Sequence, residues 1–331
     1  MTRLTPVRSA TRVRSARATL RAAGEARSFL SLADLSPAEL KQCLGLAASM
    51  KASRRAGRRR EASLAGRHVA LLFDKPSLRT RVTFEVAVRE LGGSLLLIPA
   101  DVALGTREPV VDVARNLERW VDVVVIRTFA QQAIEEFRAA APRLHVVNAL
   151  TDEEHPCQAL ADVLTLQEHL GELRGRTLAY VGDGNNVATS LAHACVMLGM
   201  RVHVASPAGY ELPEPVCDRI RRAACAGGSL QLFTDAAAAV RGASAVYTDV
   251  WTSMGQEDER TQRLAAFAGF QVDERLMDAA APGAVFMHCL PAHRGEEVMA
   301  TVLEGPSSVV FDQAENRLHA QKALLTLLTT S

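Results

Sequence analysis

Arg67-His-Val-Ala-Leu-Leu-Phe-Asp-Lys-Pro-Ser-Leu-Arg-Thr-Arg81 decides how the rest of the chain is read. Arg67 to Phe73 is an apolar run of strand length, and Pro76 and Ser77 make a turn. Phe84, Val88 and Leu91 then recur at helical spacing until Gly92-Gly93 stops the pattern. The first turn of that helix carries Arg79, Thr80 and Arg81 beside free backbone N–H groups at the positive end of the helix dipole. A dianionic phosphate suits this place. On this pattern alone, so does an ordinary capped helix whose arginines are solvated.

Working outward, strand-like and helix-like stretches alternate. Leu95-Leu-Leu-Ile98, Val121-Asp-Val-Val-Val-Ile126 and Leu144-His-Val-Val147 complete one set. A second set comprises Thr177 to Val181, Arg201 to Ala205, Ser229 to Phe233, Ala245 to Asp249, Ala284 to Met287 and Val309-Val-Phe311. Alternation of this kind predicts an α/β fold of two lobes, each a doubly wound parallel-sheet domain, joined by interdomain helices. The lobes are read as residues 28–150 and 151–312, with a C-terminal helix at about 313–331 packing back onto the first. Ser36-Pro-Ala-Glu-Leu40 reads as a helix start with Leu40, Leu44 and Ala47 on its apolar face, and the basic cluster Lys51 to Arg60 as a solvated helix end and loop.

With 331 residues and 48% hydrophobic composition, the chain can bury a core in each lobe. A net charge of +1 provides no dominant basic field for nucleic acid, and no apolar run approaches the roughly 18 residues that span a bilayer. Six cysteines (Cys43, Cys157, Cys195, Cys217, Cys225, Cys289) are scattered without a C-x-x-C pair, which suits a reduced compartment and provides neither a disulfide frame nor a structural zinc site. Met1 to Arg27 carries seven arginines against one acid. It reads as a disordered or upstream-start extension of a cytoplasmic protein, or as an organelle transit peptide.

Ligands of open parallel sheets bind at strand carboxyl ends, so the residues just past each strand matter most. After the first set of strands these segments are Ser77-Leu-Arg-Thr-Arg81, Arg127 and, beyond the loop that follows Val147, His155-Pro-Cys-Gln158. After the second set they are Gly182-Asp-Gly-Asn-Asn186, Asp249-Val-Trp-Thr-Ser-Met-Gly255 and His288-Cys-Leu-Pro-Ala292, followed by Gln313-Ala-Glu-Asn-Arg317. Each has a duller reading: Arg127 as a surface charge, His155 as a packed histidine, Cys289 as a small hydrophobe and Asp249 as a turn cap. Gly182-Asp-Gly184 with Ala188 resembles a dinucleotide loop. That reading requires an acid after the next strand, where Ser206 stands.

Ser77-x-Arg-Thr-Arg81, His155-Pro-x-Gln158, Asp249-x-x-x-Ser-Met-Gly255 and His288-Cys-Leu-Pro-Ala292, in this order, resemble the aspartate/ornithine carbamoyltransferase family, and its ornithine branch in particular. The resemblance runs from about Phe29 to the C-terminus. It implies transfer of the carbamoyl group of carbamoyl phosphate to L-ornithine, giving citrulline and phosphate, with no cofactor and no metal. It makes residues 28–150 the carbamoyl-phosphate-binding domain and 151–312 the ornithine-binding domain. By the same resemblance Ser77, Arg79, Thr80 and the Leu78 backbone N–H hold the phosphate, and Arg127, His155, Gln158 and Arg317 surround the carbamoyl group. Asn186, Asp249, Ser253 and Met254 bind ornithine, with Cys289 and the Leu290 carbonyl beside the reacting centre. The family places Thr where Leu78 stands.

The resemblance further implies a homotrimer, or a multiple of trimers, in which a neighbour's loop near Asp101 to Glu108 approaches each site; Ala103 stands there where some relatives carry a polar residue. Trp251 to Thr261, rich in charge and without periodicity, reads as a lid. Rival readings are a carbamoyltransferase for putrescine or an N-acylated ornithine, a nicotinamide-dependent oxidoreductase using Gly182 to Ala188, and a non-enzymatic binding protein.

Overall fold

A computed structural model describes residues 24–58, 62–99 and 107–330 of the protein. Most of the Arg-rich extension and residues 101–106, including Ala103, lie outside the described residues. Ser36 starts α1 (Pro37–Arg55) with a reciprocal cap, its hydroxyl accepting from the Glu39 N–H while the Glu39 carboxylate accepts from the Ser36 N–H. The apolar run after Arg67 is β1 (His68–Phe73), buried on both faces from Val69 to Leu72, and it feeds α2 (Leu78–Glu90).

The first sheet adds β2 (Ser94–Ile98), β3 (Val123–Arg127) and β4 (His145–Leu150), with α3 (Val110–Leu117) and α4 (Gln131–Ala140) as crossovers. Its order is β2-β1-β3-β4 and every pairing is parallel. After α5 (Pro156–Leu170) comes the second sheet: β5 (Thr177–Val181), β6 (Arg201–Ala205), β7 (Ser229–Phe233), β8 (Ala245–Thr248) and β9 (Val285–His288). Their order, β7-β6-β5-β8-β9, is again all parallel, and α6 (Asn186–Met197), α7 (Glu214–Ala223), α8 (Ala236–Val240), α9 (Arg260–Ala266) and α10 (Glu274–Asp278) connect them. The expected α/β fold with two parallel-sheet lobes is the one the chain adopts.

Each sheet winds outward in opposite directions from its first strand, so strand order reverses between β1 and β3 and between β5 and β8. The crevice outside the carboxyl ends at such a reversal is open to a ligand. Arg127 is the last residue of β3, and Gly182 and Asp249 come directly after β5 and β8.

After the short α11 (Ala300–Leu303), α12 (Val310–Thr329) closes the chain against α1, α2 and α5. One apolar core runs from Leu40 and Leu44 through Leu160, Val163 and Leu164 of α5 to Leu324 and Leu325 of α12, and on to Leu191 of α6. Two expectations fail here. Val309-Val-Phe311 is not a strand: the Val309 N–H bonds the Phe286 carbonyl, but Val310 begins α12, whose inward positions need the helical spacing of Gln313, Asn316, Arg317 and Ala320. Lys51 is not solvated. It is buried, donating to Glu168 at 2.8 Å and to the Asn316 side-chain oxygen at 2.7 Å, because α1 packs against α5 and α12.

Since Leu324 is fully buried where α12 meets this core, Leu324→Ala is expected to cost about 2–5 kcal/mol, read as a lowered urea midpoint at constant slope. A change below about 0.5 kcal/mol would show that α12 is not part of the core.

Candidate active site

A cleft of about 1230 Å³ opens between the two sheets, lined on one side by the β1–α2 turn and on the other by the segments after β5, β8 and β9. Ser77 caps α2, its hydroxyl accepting from the Thr80 N–H at 3.2 Å. That leaves Leu78 and Arg79, at the first two helical positions, without intrahelical acceptors for their N–H groups. The Leu78 side chain points away into solvent, at 76% exposure, so only its backbone serves the turn.

Arg79, Arg127 and Arg317 come from three separate elements and line the same cleft. Among the described residues none of the three has a carboxylate within ion-pair distance. Arg317 donates through Nη2 to the Thr80 hydroxyl at 2.7 Å and through Nη1 to the Gln158 side-chain oxygen. The Nε atoms of Arg127 and Arg317 are buried without a partner among the described residues. Burial, followed by the Arg317 and Arg79 charges, brings Arg127 from 12.5 down to about 10. That destabilises its charged form by an amount on the order of 3 kcal/mol. Burial also lowers Arg317 and Arg79.

His155 precedes α5, 5% exposed, with Nδ1 unpartnered. Burial, reinforced by the same three arginines, pushes it well below 6.5, so it is neutral at physiological pH. Gln158 lies behind Arg317 rather than on the cleft wall. A wall of unpaired guanidiniums and a neutral imidazole is suited to an anion with a polarisable carbonyl.

The opposite wall is built differently. The Cys289 thiol donates to Asp249 Oδ1 at 2.9 Å, and Asn185 Nδ2 donates to Asp249 Oδ2 at 2.8 Å. Burial, then the Asp249 charge, raises the thiol well above its ordinary value, so the group is S–H and not thiolate. Leu290, at φ +59°, is the one described non-glycine residue in the left-handed region, a local strain in the segment that carries Cys289. Ser253 and Met254 line the outer part of the cleft, Met254 being 46% exposed.

Asn186 also lines the cleft, but its amide nitrogen donates to the Thr151 carbonyl. The sequence reading missed Asn185, which caps α6 by accepting from the Val187 and Ala188 N–H groups while donating to Asp249. It also missed Lys75, buried and paired with Asp152 with its ammonium 4.2 Å from the Phe129 ring centre. In addition, Trp251 does not belong to a lid. It is 4% exposed and stacked 5.5 Å from Phe267, so a mobile segment could begin only at Thr252.

The glycine loop has a structural cause. A Cβ on Gly184 would lie 2.4 Å from the Leu212 nitrogen, and the Gly184 N–H donates to the Tyr210 carbonyl. Asn185 already fills the α6 N-terminus, where a dinucleotide phosphate would have to bind.

Two sequence profiles match in tandem: "Aspartate/ornithine carbamoyltransferase, carbamoyl-P binding domain" over residues 27–168 and "Aspartate/ornithine carbamoyltransferase, Asp/Orn binding domain" over 174–328. The chain belongs to the aspartate/ornithine carbamoyltransferase family. Among its relatives, the ornithine carbamoyltransferase of Symbiobacterium thermophilum is 53% identical over 307 residues, 91% of this chain and 97% of the relative. That of Parafrankia sp. is 52% identical over 308 residues, covering 92% and 96%. The solved ornithine carbamoyltransferase of Pyrococcus furiosus superposes with a TM-score of 0.89 at 46% identity, covering 93% of this chain and 98% of that one.

A Cys289 thiol held up by burial and by Asp249 is expected to react slowly with iodoacetamide at pH 7–8, its rate still climbing above pH 9. Peptide mass mapping of the alkylated residue across pH provides the check; a rate that levels off below pH 8 would contradict the geometry.

Proposed function

We propose that this chain transfers the carbamoyl group of carbamoyl phosphate to the side-chain amine of L-ornithine, giving L-citrulline and phosphate. The observation that carries the reading is the cluster of three arginines without carboxylate partners facing an Asp249–Cys289 pair across one cleft. Carbamoyl phosphate has a dianionic phosphate and a carbonyl. The phosphate fits the α2 N-terminus with Ser77, Arg79, Thr80 and the Leu78 N–H, and the carbonyl is within the reach of Arg127, His155 and Arg317. Gln158 serves that pocket by holding Arg317. Because His155 is neutral, it donates one hydrogen bond to the developing oxyanion without adding a fourth positive charge.

The acceptor is an alkylamine with a solution pKa of about 10.4, so near pH 7 only roughly one molecule in a few thousand is neutral. Producing the nucleophile costs about 4–5 kcal/mol. Shielding from water lowers that cost by disfavouring the ammonium, Asp249 orients the amine and receives its proton as a base, and the Cys289 S–H fixes the carboxylate's orientation. Attack on the carbonyl carbon gives a tetrahedral intermediate whose oxyanion faces the arginines. The C–O bond to phosphate then breaks, and the departing dianion takes up the amine proton. Asn186 on the cleft wall, with Ser253 and Met254 at its outer end, suits the α-amino and α-carboxylate groups, with Leu290 beside the reacting centre. Residues from Thr252 to Thr261 close over the bound pair.

The reaction serves arginine metabolism in the cytoplasm. The assembly is a homotrimer or a multiple of trimers. Supporting it, Leu78 and Val82 on α2 and Leu96 and Leu97 on β2 are 45–76% exposed, and β2 is an open sheet edge that a second copy would cover. A putrescine or N-acylated ornithine acceptor is the alternative reading.

Citrulline formation is expected from ornithine in preference to N-acetylornithine and putrescine. Arg79→Ala should lower kcat/KM for carbamoyl phosphate by about 10²–10³-fold while far-ultraviolet dichroism is unchanged. Failure of all three acceptors with folded protein would reject the reading. Light scattering should give three times the 35.7 kDa chain mass, or a multiple of that, and a monomer would reject the assembly.

A further inference from the structure

The buried centre of the protein holds a carboxylate that no step of the transfer uses. Asp162, on α5, has no exposed surface. Its Oδ1 accepts from Gln158 Nε2 at 2.7 Å and from Gln313 Nε2 at 2.9 Å, and its Oδ2 accepts from the Tyr247 hydroxyl at 3.1 Å. Burial raises it from 3.8 to about 6, so at working pH it remains a carboxylate, which can only accept.

That one-way character sets the direction of two amides. With both Nε2 groups committed to Asp162, the oxygen of each glutamine is forced outward. Gln158 Oε1 then accepts from Arg317 Nη1, and Gln313 Oε1 accepts from the His288 N–H at 3.0 Å, one residue before Cys289. The same carboxylate thus fixes a guanidinium on the anion side of the cleft and the backbone leading to the thiol on the amine side.

We infer that Asp162 is a positioning residue for the transfer reaction, acting through the amide sense of Gln158 on Arg317 and of Gln313 on the His288–Cys289 backbone. The inference rests on the proposed site roles of Gln158 and Arg317. An asparagine at 162 matches the shape but carries no charge, and its single oxygen cannot serve all three donors. Either Gln158 turns its nitrogen toward Arg317 or the acceptor for both amides is weakened.

The test is a double-mutant cycle in the full-length enzyme. Asp162→Asn and Gln158→Ala are measured singly and together, by kcat and KM for each substrate and by thermal midpoint. Asp162→Asn alone is expected to lower kcat/KM for carbamoyl phosphate about tenfold and to raise KM for ornithine. In the Gln158→Ala background the same change should cost less than twofold for carbamoyl phosphate, while the ornithine effect, carried by Gln313, persists. Losses that multiply across the two backgrounds, or a lowered thermal midpoint with unchanged kinetics, would overturn the positioning role and leave the site reading intact. An unimpaired Gln158→Ala enzyme would overturn the site reading of Gln158 and the inference with it.

Discussion

Three guanidinium groups share one cleft wall with no carboxylate among the described residues to neutralise them, and much of the rest of the molecule is arranged to hold them there. Left to themselves, buried like charges separate or acquire counter-ions. Here each is fixed by a different part of the fold: Arg79 by the first turn of α2, Arg127 by the end of an interior strand, and Arg317 by Thr80 and Gln158. Burial, reinforced by the neighbouring guanidinium charges, lowers Arg127, His155 and Arg317. An anion entering this space supplies the missing negative charge, so binding recovers free energy that folding spent.

The architecture follows from that requirement. No single βα turn can bring three cations together, and the reversal of strand order in the first sheet provides two of the three positions. The third arrives on α12, which crosses from the second lobe to pack on α1, α2 and α5. Because α5 and α12 also contact the second sheet through Asp162, Tyr247 and Gln313, the cation wall and the Asp249–Cys289 wall are tied to one buried network. The lobes are therefore joined at the point where the chemistry is placed.

How much of this could be read from the chain depends on whether a residue's role is local. Interior strands of parallel sheets are buried on both faces and appear as short apolar runs, so nearly all of them were legible. Caps were legible too, since Ser36 and Ser77 act within four residues of themselves. Val309-Val-Phe311 misled because its β-branched pattern is overridden by the inward spacing of Gln313 and Arg317. Lys51 looked solvated because its partners, Glu168 and Asn316, lie more than a hundred residues away. Asp162 and Asn185 went unnoticed for a similar reason: their hydrogen-bond partners come from several elements, and no motif of fixed spacing records that. Trp251 was assigned to a lid by its polar neighbours, whereas packing on Phe267 places it in the core.

Differential scanning calorimetry of the native protein and of Arg127→Met, each with and without carbamoyl phosphate, addresses the central claim most directly. If the cation wall is strained until an anion arrives, removing Arg127 stabilises the ligand-free protein by about 1–3 kcal/mol and abolishes most of the rise in Tm that carbamoyl phosphate produces in the native enzyme. A ligand-free Arg127→Met protein that is less stable than the native one, yet still shifted by carbamoyl phosphate to the same extent, would contradict the account.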